Sequence, residues 1–200
     1  FCEETMEPIH RTVLGCAVLV AAMVAGGCDM GKSDAPTLDS RPTIRVKAGA
    51  TEPFKDSLGV MWYPDDQYVE GGTVVDRSGQ ITITGTKTPE MYTVERYSMD
   101  YYTFKVPNGK YELKLHFSED YDGISDPAGR LFTYVIKDGD NKTGLVKKEQ
   151  KDFGPWKMSG AAFKACVVTE PLTVARGAIT IEFKPQVENP QINATEIIPQ

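Results

Sequence analysis

The stretch KYELKLHFSE, Lys110–Glu119, sets the fold class. Tyr111, Leu113, Leu115 and Phe117 fall on one face of an extended strand, and Glu112, Lys114, His116 and Ser118 fall on the other, because successive strand side chains point to opposite sides. The turn-forming triplet PNG, Pro107–Gly109, stands just before it. YYTFKV and KYELKLHF are therefore expected to pair as an antiparallel hairpin.

Working outward, short runs of the same kind recur: TIRVKA, RLFTYVIK, AFKACVVTE, PLTVA, AITIEFKP and INATEII. KDGDNKTG (137–144) and ARG (175–177) read as the turns between them. No segment carries the period of a long amphipathic helix. About eight or more strands, each with one apolar face, must bury those faces against one another. The expected fold is all-β, a two-sheet antiparallel β-sandwich of jelly-roll type.

The first 28 residues follow a different pattern. Met6 is a start candidate, Arg11 supplies a positive flank, and VLGCAVLVAAMVAGG, Val13–Gly27, is an uninterrupted apolar run. That run falls short of the roughly 20 residues a spanning helix needs, so it reads as the core of a signal peptide. Small residues lead directly into Cys28, as in bacterial lipoprotein signals, although Ala25 stands where leucine is usual. Cys28 is the expected lipidation site, which would export the protein and anchor it to a membrane. The polar, proline-punctuated segment 29–42 is expected to be a flexible linker, leaving 43–200 as the folded domain. With Cys2 and Cys16 in the leader and Cys28 acylated, Cys166 stands alone. Its apolar neighbours mark it as a small buried hydrophobe rather than a nucleophile.

The formal charge of -6 argues against nucleic acid as a partner, since phosphate backbones are bound mainly by Lys and Arg. No cofactor or metal is expected. DYDGISD, Asp120–Asp126, has closely spaced acids but neither the twelfth-position Glu nor the flanking helices of a calcium loop. His116 lies between charged strand neighbours, which supports neither a Ser-His-Asp arrangement nor a zinc site.

IRVKAGA, MWYPDD followed by EGG, MYTVERY, VPNGKYELKLHFSEDY, GRLFTYVIKDG and ITIEFKPQVENPQINATEI occur in one order from Ile44 to Ile198. Together they resemble the malectin family of carbohydrate-binding domains. The resemblance implies a galactose-binding-like jelly roll that binds sugars through loops at one end, without catalysis. It places Tyr97, closing VERY, and Tyr121, closing SEDY, at family sugar-contacting positions. Asp122 stands where the family has another aromatic, and Glu188 in VENP matches a carboxylate that contacts sugar hydroxyls. A tyrosine that the family carries near EGGTVV is missing, with Thr73 and Val74 in its neighbourhood.

The chemistry of these residues agrees. Sugars present hydroxyls at the ring edge and C–H patches on the ring face, so a tyrosine face plus a carboxylate acceptor suits them. The candidate glycan site is Tyr97, Tyr121, Asp122 and Glu188. Tyr97 and Tyr121 are expected to be exposed, the latter in a loop too acidic to be core. Tyr111, Tyr102 and Phe104 are expected in the core, and Tyr92 and Tyr101 are left open. Arg96 is expected to pair with a carboxylate and fix the Tyr97 segment, and Trp62 to pack at a sandwich edge. A protein-interaction or structural sandwich at the cell surface is the alternative to glycan binding. A hydrolase is disfavoured because no acid pair shows an apolar setting that would raise one pKa.

Overall fold

A computed structural model describes residues 41–200 of the 200-residue chain. The expected signal peptide, Cys28 and nearly all of the expected linker lie outside the described residues.

The described residues form a two-sheet β-sandwich. Its strands are β1 (Ile44–Lys47), β2 (Phe54–Lys55), β3 (Met61–Pro64), β4 (Val69–Asp76), β5 (Val94–Lys105), β6 (Gly109–Phe117), β7 (Leu131–Asp138), β8 (Leu145–Phe153), β9 (Cys166–Val174), β10 (Ala178–Val187), β11 (Gln191–Ile192) and β12 (Ala194–Pro199). A 3-10 turn at Pro89–Tyr92 and a short helix, α1 (Pro155–Ser159), interrupt them. One sheet has the order β2-β3-β1-β12-β6-β9, the other β11-β5-β10-β7-β8, with β4 also paired to β5. Pairing is antiparallel except between β1 and β3.

The alternation read in Lys110–Glu119 holds for the inner face. Tyr111, Leu113, Leu115 and Phe117 are buried, and they share one core with Tyr102, Phe104, Phe132, Tyr134, Ile179 and Phe183 from the facing sheet. Each large apolar side chain so buried contributes about 1.5–3 kcal/mol. The outer face is less simple. His116 is also buried, its Nδ1 2.9 Å from the Tyr92 hydroxyl and its Nε2 3.1 Å from Glu196 Oε1, with Trp62 edge-on. Tyr92 and Trp62 belong to a smaller second cluster with Ile83, Met91 and Ala194.

The expected β5–β6 hairpin does not form. β5 pairs with β4, β10 and β11, whereas β6 pairs with β12 and β9. The tight turn at Pro107–Gly109 instead carries the chain from one sheet to the other, so both apolar faces meet across the core rather than lying side by side. Segments AFKACVVTE and PLTVA, read as two strands, are one: β9 runs through Pro171. It is an edge strand, where a missing N–H is tolerated. INATEII, read as one strand, divides at buried Asn193, which leaves β11 in one sheet and β12 in the other. Asn193 Nδ2 donates to the carbonyls of Tyr92 and Val94, and this fixes the crossing.

Candidate functional site

Four segments converge at one end of the sandwich: the end of β4, the start of β5, the β6–β7 loop and the loop after β10. They enclose a cavity of about 320 Å³ lined by Val75, Arg77, Glu95, Tyr97, Tyr121, Arg130, Glu188 and Asn189. That volume lies near the lower end of the usual range for small-molecule sites, roughly 300–1,000 Å³.

Tyr97, Tyr121 and Glu188 are separated by up to 91 positions in sequence, and the fold brings all three to this cavity. Asp122 is not among its walls; it sits in the exposed turn beside Tyr121 and acts on Arg77 only through its charge. Tyr97 is in a strand rather than a loop, flanked by Thr73 of β4 and Gln191 of β11. Tyr121 is 42% exposed, and the Arg77 guanidinium lies 5.8 Å from its ring centre.

Two local features set these side chains. A Cβ on Gly123 would lie 2.4–2.6 Å from the far end of the Tyr121 ring, so that ring position depends on a residue with no side chain. Glu188 has φ 59°, a left-handed conformation that costs a non-glycine residue about 1–2 kcal/mol. Its loop is held by Arg130, whose Nη1 donates to the Asn189 carbonyl and whose Nε donates to Glu119 Oε2 at 2.8 Å.

Beneath the cavity the acids lie differently from expectation. Glu119 and Asp120 precede Tyr121 in the stretch expected to be too acidic for the core, yet both, and Glu95 with them, are at most 2% exposed. Charge pairing makes this burial tolerable. Arg130 engages Glu119 through two nitrogens, and Arg77 Nη1 reaches Glu95 Oε1 at 2.9 Å and Asp120 Oδ1 at 3.3 Å. Two cations thus face three carboxyls. Burial, and then the neighbouring Glu95, hold Asp120 far above the usual carboxylate range. Burial thus favours the protonated form of Asp120 more than that of an ordinary surface carboxyl. The sequence pattern showed no acid pair of this kind. Asp120 is not among the residues that line the cavity. Glu119 is also raised, again by burial, with Arg130 opposing.

Arg96 does pair with a carboxylate. Asp65, fully buried, accepts from Arg96 Nε and Nη2 at 2.7 Å each, from the Tyr102 hydroxyl at 2.6 Å and from the Gly49 amide at 3.0 Å. This ties the end of β3 to β5 just beside Tyr97. Trp62 is buried and donates to Asp56 Oδ2. Cys166 packs against the core, and burial pushes its thiol up to about 12, which keeps it unreactive. Among the described residues no group of three or more His, Cys, Asp or Glu is placed to hold a metal ion.

The sequence from 43 to 195 matches the malectin domain model, a carbohydrate-binding fold family. No curated protein matches the chain. Among solved structures, it is similar to a Bacteroides uniformis β-glucuronidase (22% identity, TM-score 0.67), over 80% of this chain and 18% of the enzyme. It is similar as well to the ANXUR1 extracellular domain of Arabidopsis thaliana (17%, TM-score 0.64; 78% and 47%) and to the ANX2 ectodomain of the same plant (20%, TM-score 0.63; 80% and 42%). The chain spans less than a fifth of the enzyme's length and under half of each ectodomain's. At these identities the structural likeness speaks for the fold alone, and the match over 43–195 shows that the chain belongs to the malectin-domain family.

Proposed function

We propose that the domain binds a short glycan, without chemistry of its own, in the cavity shared by Tyr97, Tyr121 and Glu188. The observation that supports this reading most is the meeting of three sequence-distant side chains of the right types around one small-molecule-sized space. The tyrosine rings suit the C–H face of a pyranose, and the Glu188 carboxylate suits its hydroxyls, each such bond being worth about 1.5–3 kcal/mol before desolvation. Ordering and desolvation reduce this to an expected affinity between roughly micromolar and millimolar.

Hydrolysis fits the site poorly. A glycosidase needs a protonated acid against the glycosidic oxygen, whereas the two carboxyls here whose burial favours the proton, Glu119 and Asp120, do not line the cavity. Export and membrane attachment through Cys28 belong to the same proposal, resting on the apolar run Val13–Gly27 and the small residues before Cys28. Such a domain would hold glycan, or a glycan-bearing partner protein, near the membrane.

A glycan array probed with the full chain and with Glu188→Gly tests the reading. Glycine relieves the left-handed backbone, so the variant should melt no lower than wild type while losing array signal. Undiminished signal for Glu188→Gly would remove the carboxylate from the proposal. An array on which the wild type binds no glycan would overturn the proposal itself.

A further inference from the structure

A second cavity, of about 670 Å³, opens on the other side of the β4–β5 ribbon. Asp76 and Val94 face it, while Val75 and Glu95, next to them along each strand, face the tyrosine cavity. Its walls include Pro53, Phe54, Ile81 and Ile83, and against them stands Lys47 of β1.

Lys47 is 4% exposed, and its Nζ lies 5.3 Å from the Phe54 ring centre. Among the described residues its side chain makes one hydrogen bond, a 3.4 Å donation to the Met91 carbonyl, and joins no ion pair. Burial lowers its pKa to about 8, opposed in turn by Asp76, Glu90, Asp65 and Asp120. These four acids act on it from β4, the 3-10 turn and the loops after β3 and β6. They also narrow the ligand class. An anion would meet their field and a cation would meet Lys47, whereas a neutral carbonyl compound meets a desolvated amine between apolar walls.

We propose that this cavity captures a small neutral aldehyde or ketone as an imine on Lys47 Nζ. The neutral amine's lone pair attacks the carbonyl carbon, forming the C–N bond as the C–O π pair moves to oxygen. A proton passes from nitrogen to that oxygen to give the carbinolamine. Loss of water, which carries away the oxygen and both amine hydrogens, leaves C=N. No oxidant or reductant is required. Hydroxyaldehydes and the open-chain forms of reducing sugars share this chemistry. The site is separate from the tyrosine cavity and stands whether or not a glycan binds there.

The full chain is incubated with glycolaldehyde and cyanoborohydride at pH 7, and lysine adducts are followed by peptide mass spectrometry. Lys47 should be modified at least about tenfold faster than exposed Lys105 and Lys147, because far more of it is neutral. In urea that advantage should vanish, and Ala50→Trp, which narrows the cavity wall, should slow Lys47 alone. If Lys47 reacts no faster than Lys105 in the folded protein, or keeps its advantage in urea, the proposal is wrong. An unchanged Lys47 rate in folded Ala50→Trp would exclude the cavity as the capturing element.

Discussion

The β4–β5 ribbon divides two cavities whose electrostatics are opposite in kind. On the tyrosine side, Arg77 and Arg130 face three buried carboxyls, and burial raises the pKa of Asp120 among them. On the other side, a single buried amine has four acids near enough to act on it but none close enough to pair. A compensated cluster makes a rigid floor that holds loops in place. An uncompensated group stores its desolvation penalty and remains available for chemistry.

Removing one partner from each side should break this contrast most sharply. Arg130→Met would leave Glu119 buried without its cation and release the Glu188 loop, at an expected cost of about 3–5 kcal/mol in urea unfolding. Lys47→Met should act the other way and stabilise at neutral pH, on the order of 1–3 kcal/mol, because a poorly satisfied charge gives way to a methionine of similar shape. The pH dependence carries the sign. Lys47's native pKa lies below its unfolded value, so between about pH 8 and 10 the unfolded chain binds the extra proton. Wild-type stability should rise across that window, and the rise should be missing in Lys47→Met.

Asp120 supplies the opposite slope. Its native pKa is raised, so from about pH 4 upward the native state holds a proton that the unfolded chain has lost. Stability from this group is full below pH 4 and declines as pH rises. Asp120→Asn, neutral at every pH, should flatten that decline and gain about 1–2 kcal/mol over wild type by neutral pH, read as melting temperature against pH.

The smallest effect tests function without stability. Gly123→Ala should displace the Tyr121 ring, whose distal atoms occupy the space of the new methyl group. Melting should stay within about 0.5 kcal/mol, while affinity for a glycan found on the array falls about tenfold, roughly 1.4 kcal/mol.

The strand pattern made the fold class legible because apolar residues at every second position, Leu113, Leu115 and Phe117 of β6 and Ile179, Ile181 and Phe183 of β10, are the ones that fill the core. Pairing was less legible. Pro107–Gly109 carries hairpin chemistry, but turn residues do not specify which sheet receives the next strand. β8 escaped notice since its VKKEQK segment is charged on both faces, as suits a sheet edge. β4 carries a weak strand signal for a similar reason: Gly71 and Gly72 interrupt it and most of it is exposed. At the site, Tyr97, Tyr121 and Glu188 came from motif resemblance. The acids of SEDY misled because burial of Glu119 and Asp120 depends on Arg130 and Arg77, which are 11 and 43 positions away. Gly123 stands in the sequence only as a glycine two residues after a candidate tyrosine, and the ring contact that requires it comes from the fold.

The most direct test of the central claim is an NMR titration of the full chain labelled with ring-¹³C tyrosine, using the strongest glycan from the array. The account predicts that Tyr97 and Tyr121 signals shift together along one binding curve, while those of buried Tyr102 and Tyr111 stay fixed. A saturating glycan that moves neither ring, or moves only one of the two, would contradict a shared tyrosine site.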